Sequence, residues 1–303
     1  ALLSNFNYRL TLISKPMFTN IQEIKQYTNV SNRLDFDLLK TYIEEALRVK
    51  VYPYIPKSVA DTLTPPSGGG VLNALELLKK AVANYAVAYA IPFLKVNLSN
   101  TGGNYYTDDK MEKSPWWDLR DLGLSSIAMG DRALNDCIEL LITEGKLQRA
   151  SGVISSVNEF EKYYSLNNSW EVFTKLQPLM QWIWESIIAP QVSTCTPDDL
   201  RTYPAIWEKL QRTVVFFTVA EAAQMHSFSF TATAIVQQWE ELPWQKSKIL
   251  NGSELYTLAK RLQQLARHEL AQLKQLLEKE AVACYIPSVA AQQVEKMKSG
   301  LYF

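Results

Sequence analysis

The sequence predicts an all-α protein: a helical bundle built from two tandem, similar repeats, with minor short β segments and extended termini. Three observations carry that reading. First, Leu75–Leu94 (LELLKKAVANYAVAYAIPFL) contains a stretch, Ala81–Ile91, in which Asn84 is the one clearly polar side chain, so a helix there must be covered on nearly every side. Second, Trp207–Met225 (WEKLQRTVVFFTVAEAAQM) lays over it, placing Glu208 on Glu76, Leu210 on Leu78, Val214 on Val82, Val219 on Val87, Ala220 on Ala88 and Ala222 on Ala90. Third, the segments upstream of each rod also match. Aligning Pro190 with Pro53 puts Ile183 on Ala46, Trp184 on Leu47, Ile188 on Val51, Asp198 on Asp61 and Leu200 on Leu63. A repeated order of helix, proline stop and buried helix is the mark of an internal duplication. The expected organisation is an N-terminal arm over 1–32, a first helical repeat over 33–150, a second over 151–288 with a long last helix, and a C-terminal tail over 289–303.

Composition fits this class. The chain has 303 residues, 47% hydrophobic and 20% charged, enough apolar material for a packed core. Lys plus Arg and Asp plus Glu are balanced at 31 each, which argues against non-specific nucleic-acid binding and against adhesion to an acidic membrane. The N-terminal ALLSNFNYRLTLISKP has no basic start followed by an apolar run, so it does not read as a signal peptide. The longest mostly apolar run, Ala81–Leu94, is shorter than the roughly 20 residues of a membrane span. A soluble, intracellular protein is expected. Cys137, Cys195 and Cys284 are odd in number and far apart with no CxxC, so reduced core thiols are expected, with neither a disulfide framework nor a zinc site.

In the arm, Tyr8–Ile13 alternates as an edge strand would, and Thr19–Tyr27 reads as a short helix capped by Thr19. Asp35 and Asp37 cap a helix from about Leu38 to Val51, with Leu39, Tyr42, Ile43, Ala46 and Leu47 as its apolar stripe and Glu44–Arg48 as an ion pair on the other side. Pro53 and Pro56 stop it, and Ser58 opens a short piece to Leu63. The run VSNRLDFDLLKTYIEEALRVKVYPYIPKSVADTL (Val30–Leu63) resembles the opening of phage head–tail connector (adaptor) proteins: a helix, an extended proline-containing exit, a short helix, then a buried helix ending near a proline, here Pro92. Where that family has Leu-Gly after the exit, this sequence has Ile55-Pro56.

The loop 64–70 (TPPSGGG) lacks the Lys-Ser/Thr and the preceding strand of a phosphate-binding loop, so it reads as a linker. Lys95–Leu98 alternates as a brief strand, and Ser99–Asp109 is expected as an exposed loop whose Asp108-Asp109 has no third carboxylate at metal-binding spacing. Ser114-Pro115 starts the next helix, with breaks expected at Gly123 and Gly130 and a stop at Gly145. Its opening pair, Trp116 and Trp117, reads equally as an interface anchor or a core plug. Past the second rod, MHSFSFTATAI alternates, and Trp239–Trp244 with Pro243 reads as a turn. Ser253 caps a last helix to about Tyr285, along a leucine seam from Leu255 through Leu277, and Pro287 ends it. The chain closes on an apolar Leu301-Tyr302-Phe303, expected to dock on this or another subunit.

No catalytic constellation emerges. His226 has only Ser227 and Ser229 nearby in sequence, and His268-Glu269 lacks the second histidine of a zinc protease motif. Neither histidine follows a glutamate at diiron spacing, and Asp118 with Asp121 is a thin candidate for a magnesium cluster. Lys260, Arg261 and Arg267 are too sparse for a DNA-recognition helix. No cofactor, metal or enzymatic activity is expected. The resemblance implies a virion structural protein of a phage or prophage, a connector component acting by assembly: self-association into a ring, portal and tail proteins as partners, and host cytoplasm followed by the virion as its location. The rivals are an α-helical scaffold or binding protein without a virion role and, further off, an α-helical enzyme. Candidate interface residues are Trp116, Trp117, Trp239, Trp244, Tyr302 and Phe303.

Overall fold

A computed structural model describes residues 16–31, 34–65, 73–99, 102–105, 116–224, 236–241, 244–249 and 252–287. The chain divides into two compact units, Ala1–Gln148 and Arg149–Phe303, and each is built from the same helices and strands in the same order, the second adding a 3-10 turn, Ala189–Gln191.

In the first unit, α1 (Ile21–Lys25) is a five-residue helix capped by Asn20, whose side chain accepts from the Glu23 N–H. Thr19, expected as the cap, instead gives both its N–H and its hydroxyl to the Glu23 carboxylate, at 3.1 and 2.9 Å. Helix α2 (Phe36–Ala46) starts at Asp35, which accepts from the Asp37 N–H at 3.0 Å. It then widens into a π-turn, Leu47–Val51, where the Tyr52 N–H reaches back to the Leu47 carbonyl. Pro53, having no N–H to donate, cannot continue the ladder. The surface ion pair of this stretch joins Arg48 to Glu45, not to Glu44. After α3 (Lys57–Ala60), Asn73 caps the rod helix α4 (Ala74–Lys95) by accepting from the Glu76 N–H at 2.9 Å. Pro92 lies inside α4, which continues past it, and does not break the helix as expected.

Strand β1 (Val96–Ser99) pairs antiparallel with β2 (Gly102–Tyr105), so a hairpin stands where a plain loop is expected after Leu98. Helix α5 (Trp116–Thr143) runs unbroken for 28 residues through Gly123 and Gly130. At Gly130 the absent side chain makes room for a neighbour: a Cβ there would meet the Tyr85 ring at 2.7 Å. The helix ends in a Schellman motif, with Gly145 at φ +70 and the Lys146 and Gly145 N–H groups returning to the carbonyls of Leu141 and Ile142.

The second unit repeats this plan. Helix α6 (Val157–Glu161) is capped by Ser156, while Ser155 gives its N–H and hydroxyl to the Glu159 carboxylate, as Thr19 does to Glu23. Helix α7 (Trp170–Ile183) passes into a π-turn, Trp184–Ile188, in the register of Leu47–Val51 that the proline alignment gives. Helix α8 (Pro197–Arg201) carries a Thr196/Asp199 capping box, and the second rod is α9 (Pro204–Ala222). Strands β3 (Val236–Glu241) and β4 (Trp244–Ile249) form a hairpin where a turn is expected. Helix α10 (Gly252–Lys279) is 28 residues long, like α5. Its last turn reproduces the α5 exit, with Ala281 at φ +48 in place of Gly145 and the Val282 and Ala281 N–H groups returning to Leu277 and Glu278. The helix therefore stops at Lys279, short of Tyr285, and Ser253 sits inside its first turn.

Each rod is buried by its own unit: α4 packs against α5 and α2, and α9 against α10 and α7. The four aligned pairs Leu78/Leu210, Val82/Val214, Val87/Val219 and Ala90/Ala222 are buried in both units. Burying a Val or Leu side chain stabilises by roughly 1.5–3 kcal/mol and an Ala methyl by less, so the rods contribute strongly to the packing of their units. The long helices match too, with Ser126/Leu262, Gly130/Ala266, Leu134/Leu270, Cys137/Leu273 and Leu141/Leu277 all buried. Helix α10 is thus the second unit's copy of α5, and α1, placed in the arm by sequence, is the first unit's copy of α6.

The cysteines divide between the units, against the expectation of three reduced thiols. Cys137 is a free buried thiol whose Sγ donates to the Ala74 carbonyl at 3.3 Å. Cys195 and Cys284 form a disulfide, with Cα atoms 4.9 Å apart and 89 residues apart in sequence. Spacing along the chain could not reveal this pair, because the turn after α10 brings Cys284 back onto the α7–α8 connection. Hydrogen bonds close the same clasp: Thr194 donates its hydroxyl to the Cys284 carbonyl at 2.9 Å, and the Ser193 hydroxyl meets both N–H and C=O of Ile286.

Candidate functional site

The clearest candidate arises where one spatial position is treated differently in the two units. In the first unit it holds a polar cluster around one ring. Tyr85 on α4 is 1% exposed, and its hydroxyl donates to Asp131 Oδ1 on α5 at 2.5 Å. Lys50, in the π-turn, stands 5.8 Å from the ring centroid. Burial first, and then the Asp131 carboxylate, hold the Tyr85 phenol well above its ordinary value, with Tyr54 and Tyr89 adding to the rise. An aromatic body, an anionic carboxylate and an overlying cation make a self-contained polar cluster.

In the second unit the corresponding position is a groove of about 400 Å³ between the end of the π-turn, α9 and α10. The rod alignment puts Phe217 on Tyr85 and Glu221 on Tyr89; the proline alignment puts Ile187 on Lys50 and Gln191 on Tyr54; the long helices put Arg267 on Asp131 and Lys274 on Ile138. Phe217 and Leu270, both nearly buried, form the floor. Phe217 has no hydroxyl, and the carboxylate that received one in the first unit is replaced by a guanidinium. Gln263 donates to Glu221 Oε1 at 3.1 Å on one wall, and Lys274 donates to Gln191 Oε1 at 3.1 Å on the other. Among the described residues Arg267 makes no ion pair or hydrogen bond, so this exposed cation borders an apolar floor with no anion of its own.

One turn away, α9 and α10 are tied by charge. Lys209 Nζ reaches Glu269 Oε2 at 2.8 Å and Gln272 Oε1 at 2.5 Å, and Arg212 bridges Glu208 at 2.8 Å and Glu269 at 3.5 Å. The Glu269 side chain is only 12% exposed, so this partly buried network fixes the register of α10 on α9 and with it the position of Arg267. A second, larger cleft of about 540 Å³ includes Arg149, Glu159, Asp198, Arg201 and Trp207 in its lining. Its charges are internally matched: Arg149 pairs with Glu159, while Arg201 pairs with Asp198 and stacks 4.8 Å from the Trp207 ring.

The described linings of the two cavities include none of the candidate interface residues. Trp116 and Trp117 form the first turn of α5. Trp239 and Trp244 lie in the β3–β4 hairpin, opposite Lys246 and Glu241 respectively. Tyr302, Phe303 and His226 lie outside the described residues. The α10 histidine, His268, meets the Gln272 amide at 2.7 Å. Large apolar side chains exposed on the helices are others: Trp182 at 47%, Tyr256 at 62%, Phe93 at 60%, and the equivalent pair Met129 and Leu265 on α5 and α10 at 45% and 40%. Sequence alone does not point to the groove, because Arg267 on a leucine-rich helix reads as ordinary surface; the Asp131-to-Arg267 reversal appears only when α10 is laid over α5.

Among the described residues no group of three His, Cys, Asp or Glu side chains is placed to hold a metal ion, and no helix is long and apolar enough to cross a membrane. No curated protein and no solved structure matches the chain. Two of its segments, 43–146 in the first unit and 194–290 in the second, match the family described as "Family of unknown function (DUF6712)". These matches cover more than half of the sequence and fall once in each structural unit, so the chain belongs to the DUF6712 family as a tandem of two copies.

Proposed function

We propose that this chain is a virion structural protein of a phage or prophage, a head–tail connector component that works by assembling with copies of itself and with portal and tail proteins. The observation that carries the reading is the duplication: one chain presents two helical units of one design, each with its own buried rod, its own hairpin and its own 28-residue outer helix. Repetition of one rigid wedge is what a closed ring requires, because heterologous contacts close only when successive units present the same surfaces. The resemblance of Val30–Leu63 to connector proteins points the same way. Large apolar side chains exposed on the α2, α5, α7 and α10 surfaces, Trp182 and the Met129/Leu265 pair among them, supply contact area.

The disulfide bears on the rival reading, a host-side intracellular scaffold. Disulfides persist in oxidising surroundings and are rare in the cytosol. A particle assembled in host cytoplasm and then released passes from one condition to the other, which suits a Cys195–Cys284 pair better than lifelong residence inside a cell does.

The test is mass in solution together with electron microscopy of the purified chain, alone and mixed with a portal protein encoded beside it. Rings, or a stable complex on the portal, are the expected outcome. A strict monomer that ignores the portal removes the proposal.

A further inference from the structure

We infer that the second unit's groove is a docking site for an acidic peptide segment of a partner protein, one that inserts a tyrosine or similar ring flanked by carboxylates. The two units supply the argument between them. In the first, the Tyr85 ring gives its hydroxyl to Asp131 under Lys50, with Tyr54 and Tyr89 close by. In the second, the Tyr85 ring is kept as Phe217, which with Leu270 floors the groove, while Tyr54, Tyr89 and Asp131 have become Gln191, Glu221 and Arg267. Two tyrosine side chains are thus absent from around a groove of about 400 Å³, and the anion has turned into a cation. What complements such a seat is what the first unit carries internally: an aromatic body with negative charge beside it.

The charges around the groove favour this occupant over a neutral or basic one. Arg267 has no partner among the described residues, and Lys274 is held only by the neutral Gln191 amide. Glu221 is the one carboxylate in the lining, and the Gln263 amide already donates to it. An incoming carboxylate meets a guanidinium able to bind it bidentately and an ammonium on the opposite wall. Inserting the ring covers apolar floor, and the Lys209–Glu269–Gln272 network holds the walls in place beforehand, so little ordering opposes binding. The inference stands apart from the assembly reading, because groove occupancy is measurable whether or not the chain forms rings.

The experiment is fluorescence anisotropy on the full chain, using a labelled peptide of about ten residues with a central tyrosine between two aspartates. Two control peptides replace the aspartates by lysine or the tyrosine by alanine. The acidic tyrosine peptide should bind, and more weakly as salt is raised. Arg267→Glu should weaken it at least tenfold, and Gln191→Tyr, which restores the first unit's side chain and fills the seat, should do the same. Arg261→Glu, an equal charge change on α10 outside the groove lining, should leave binding within about twofold. Thermal unfolding of each variant checks that it is folded, and the two groove variants act independently, so either one can decide the matter. Equal binding of the lysine peptide, no binding of any peptide at millimolar concentration, or unchanged binding in a folded Arg267→Glu or Gln191→Tyr protein overturns the inference.

Discussion

At the scale of the residue, the two copies act as substitution experiments on each other. Gly145 and Ala281 occupy the same left-handed position after the last helix of each unit, yet only the first is a glycine. Holding a residue with a Cβ there costs roughly 1–2 kcal/mol. Ala281→Gly should therefore raise the stability of the second unit by about 1 kcal/mol, less whatever the freer unfolded chain takes back, and Gly145→Ala should lower that of the first. Urea midpoints read both. Gly130 and Ala266 are the reverse case. Alanine is accommodated at 266, facing the second rod, but a Cβ at 130 would press on the buried Tyr85 ring. Gly130→Ala should cost about 1–3 kcal/mol by overpacking, and an unchanged midpoint would show that the ring has room to retreat. Two buried groups in the first unit also set its response to alkali. Burial pushes the Cys137 thiol up to about 12, with Glu144 and Asp136 adding to it, and Tyr85 is raised as well. Raised values mean that the folded state keeps its protons longer than the unfolded chain does. Unfolding then releases protons, and the stability these groups contribute, complete below about pH 9, declines as the pH climbs toward 12. Midpoints at pH 8, 10 and 11 should fall, and Cys137→Ala combined with Tyr85→Phe should flatten the decline while lowering the starting value.

At the scale of the element, what was legible in the sequence follows from which positions tolerate one kind of side chain. The rods are readable because a helix buried on most sides admits few polar residues: Ala81–Ile91 has Asn84 as its one clearly polar side chain, and the matching Val214–Ala222 has only Thr218 and Glu221. The π-turns lie in register because Pro53 and Pro190 each remove the donor that an α-helix needs next. The equivalence of α5 and α10 was harder to see, because paired buried positions hold different residues: Cys137 against Leu273, Ser126 against Leu262. Burial was preserved and identity was not. The α1–α6 equivalence did leave a signal, the capping strings Thr19-Asn20-x-x-Glu23 and Ser155-Ser156-x-x-Glu159, each followed by a tyrosine, Tyr27 and Tyr163. The disulfide left none, since no spacing rule pairs residues brought together by a turn after a long helix. Its effect belongs to this scale, because it ties the end of α10 to the α7–α8 connection. Closing a loop of 89 residues typically stabilises by about 2–4 kcal/mol. Reduction, or Cys195→Ser with Cys284→Ser, should lower the stability of the second unit by that amount. Amide exchange should quicken in α9 and α10 and stay unchanged in α4 and α5, whereas an equal loss in both units would contradict a clasp confined to one.

At the scale of the whole molecule, the duplication makes a demand on any assembly the chain enters. Each chain brings two units with the same element order, the same rod-and-helix packing and the same helix exits, but with different side chains at defined points: a tyrosine–aspartate cluster in one and a cationic groove in the other. If rings form as proposed, a ring of n chains contains 2n such units. Electron-microscopy averages limited to low resolution, where only helices are resolved, should then show an apparent symmetry twice the number of chains. True n-fold symmetry should emerge only when side chains separate the two units, with the groove distinguishing alternate positions. This differs from what a ring of single-unit subunits would give, and the chain count comes independently from native mass spectrometry. An apparent symmetry equal to the chain count, with the two units in unrelated environments, would mean that the duplication serves something other than the ring, for instance one unit for assembly and one for holding a partner. In that event the groove would be the place to look for the partner, since it is the feature in which the second unit departs furthest from the first.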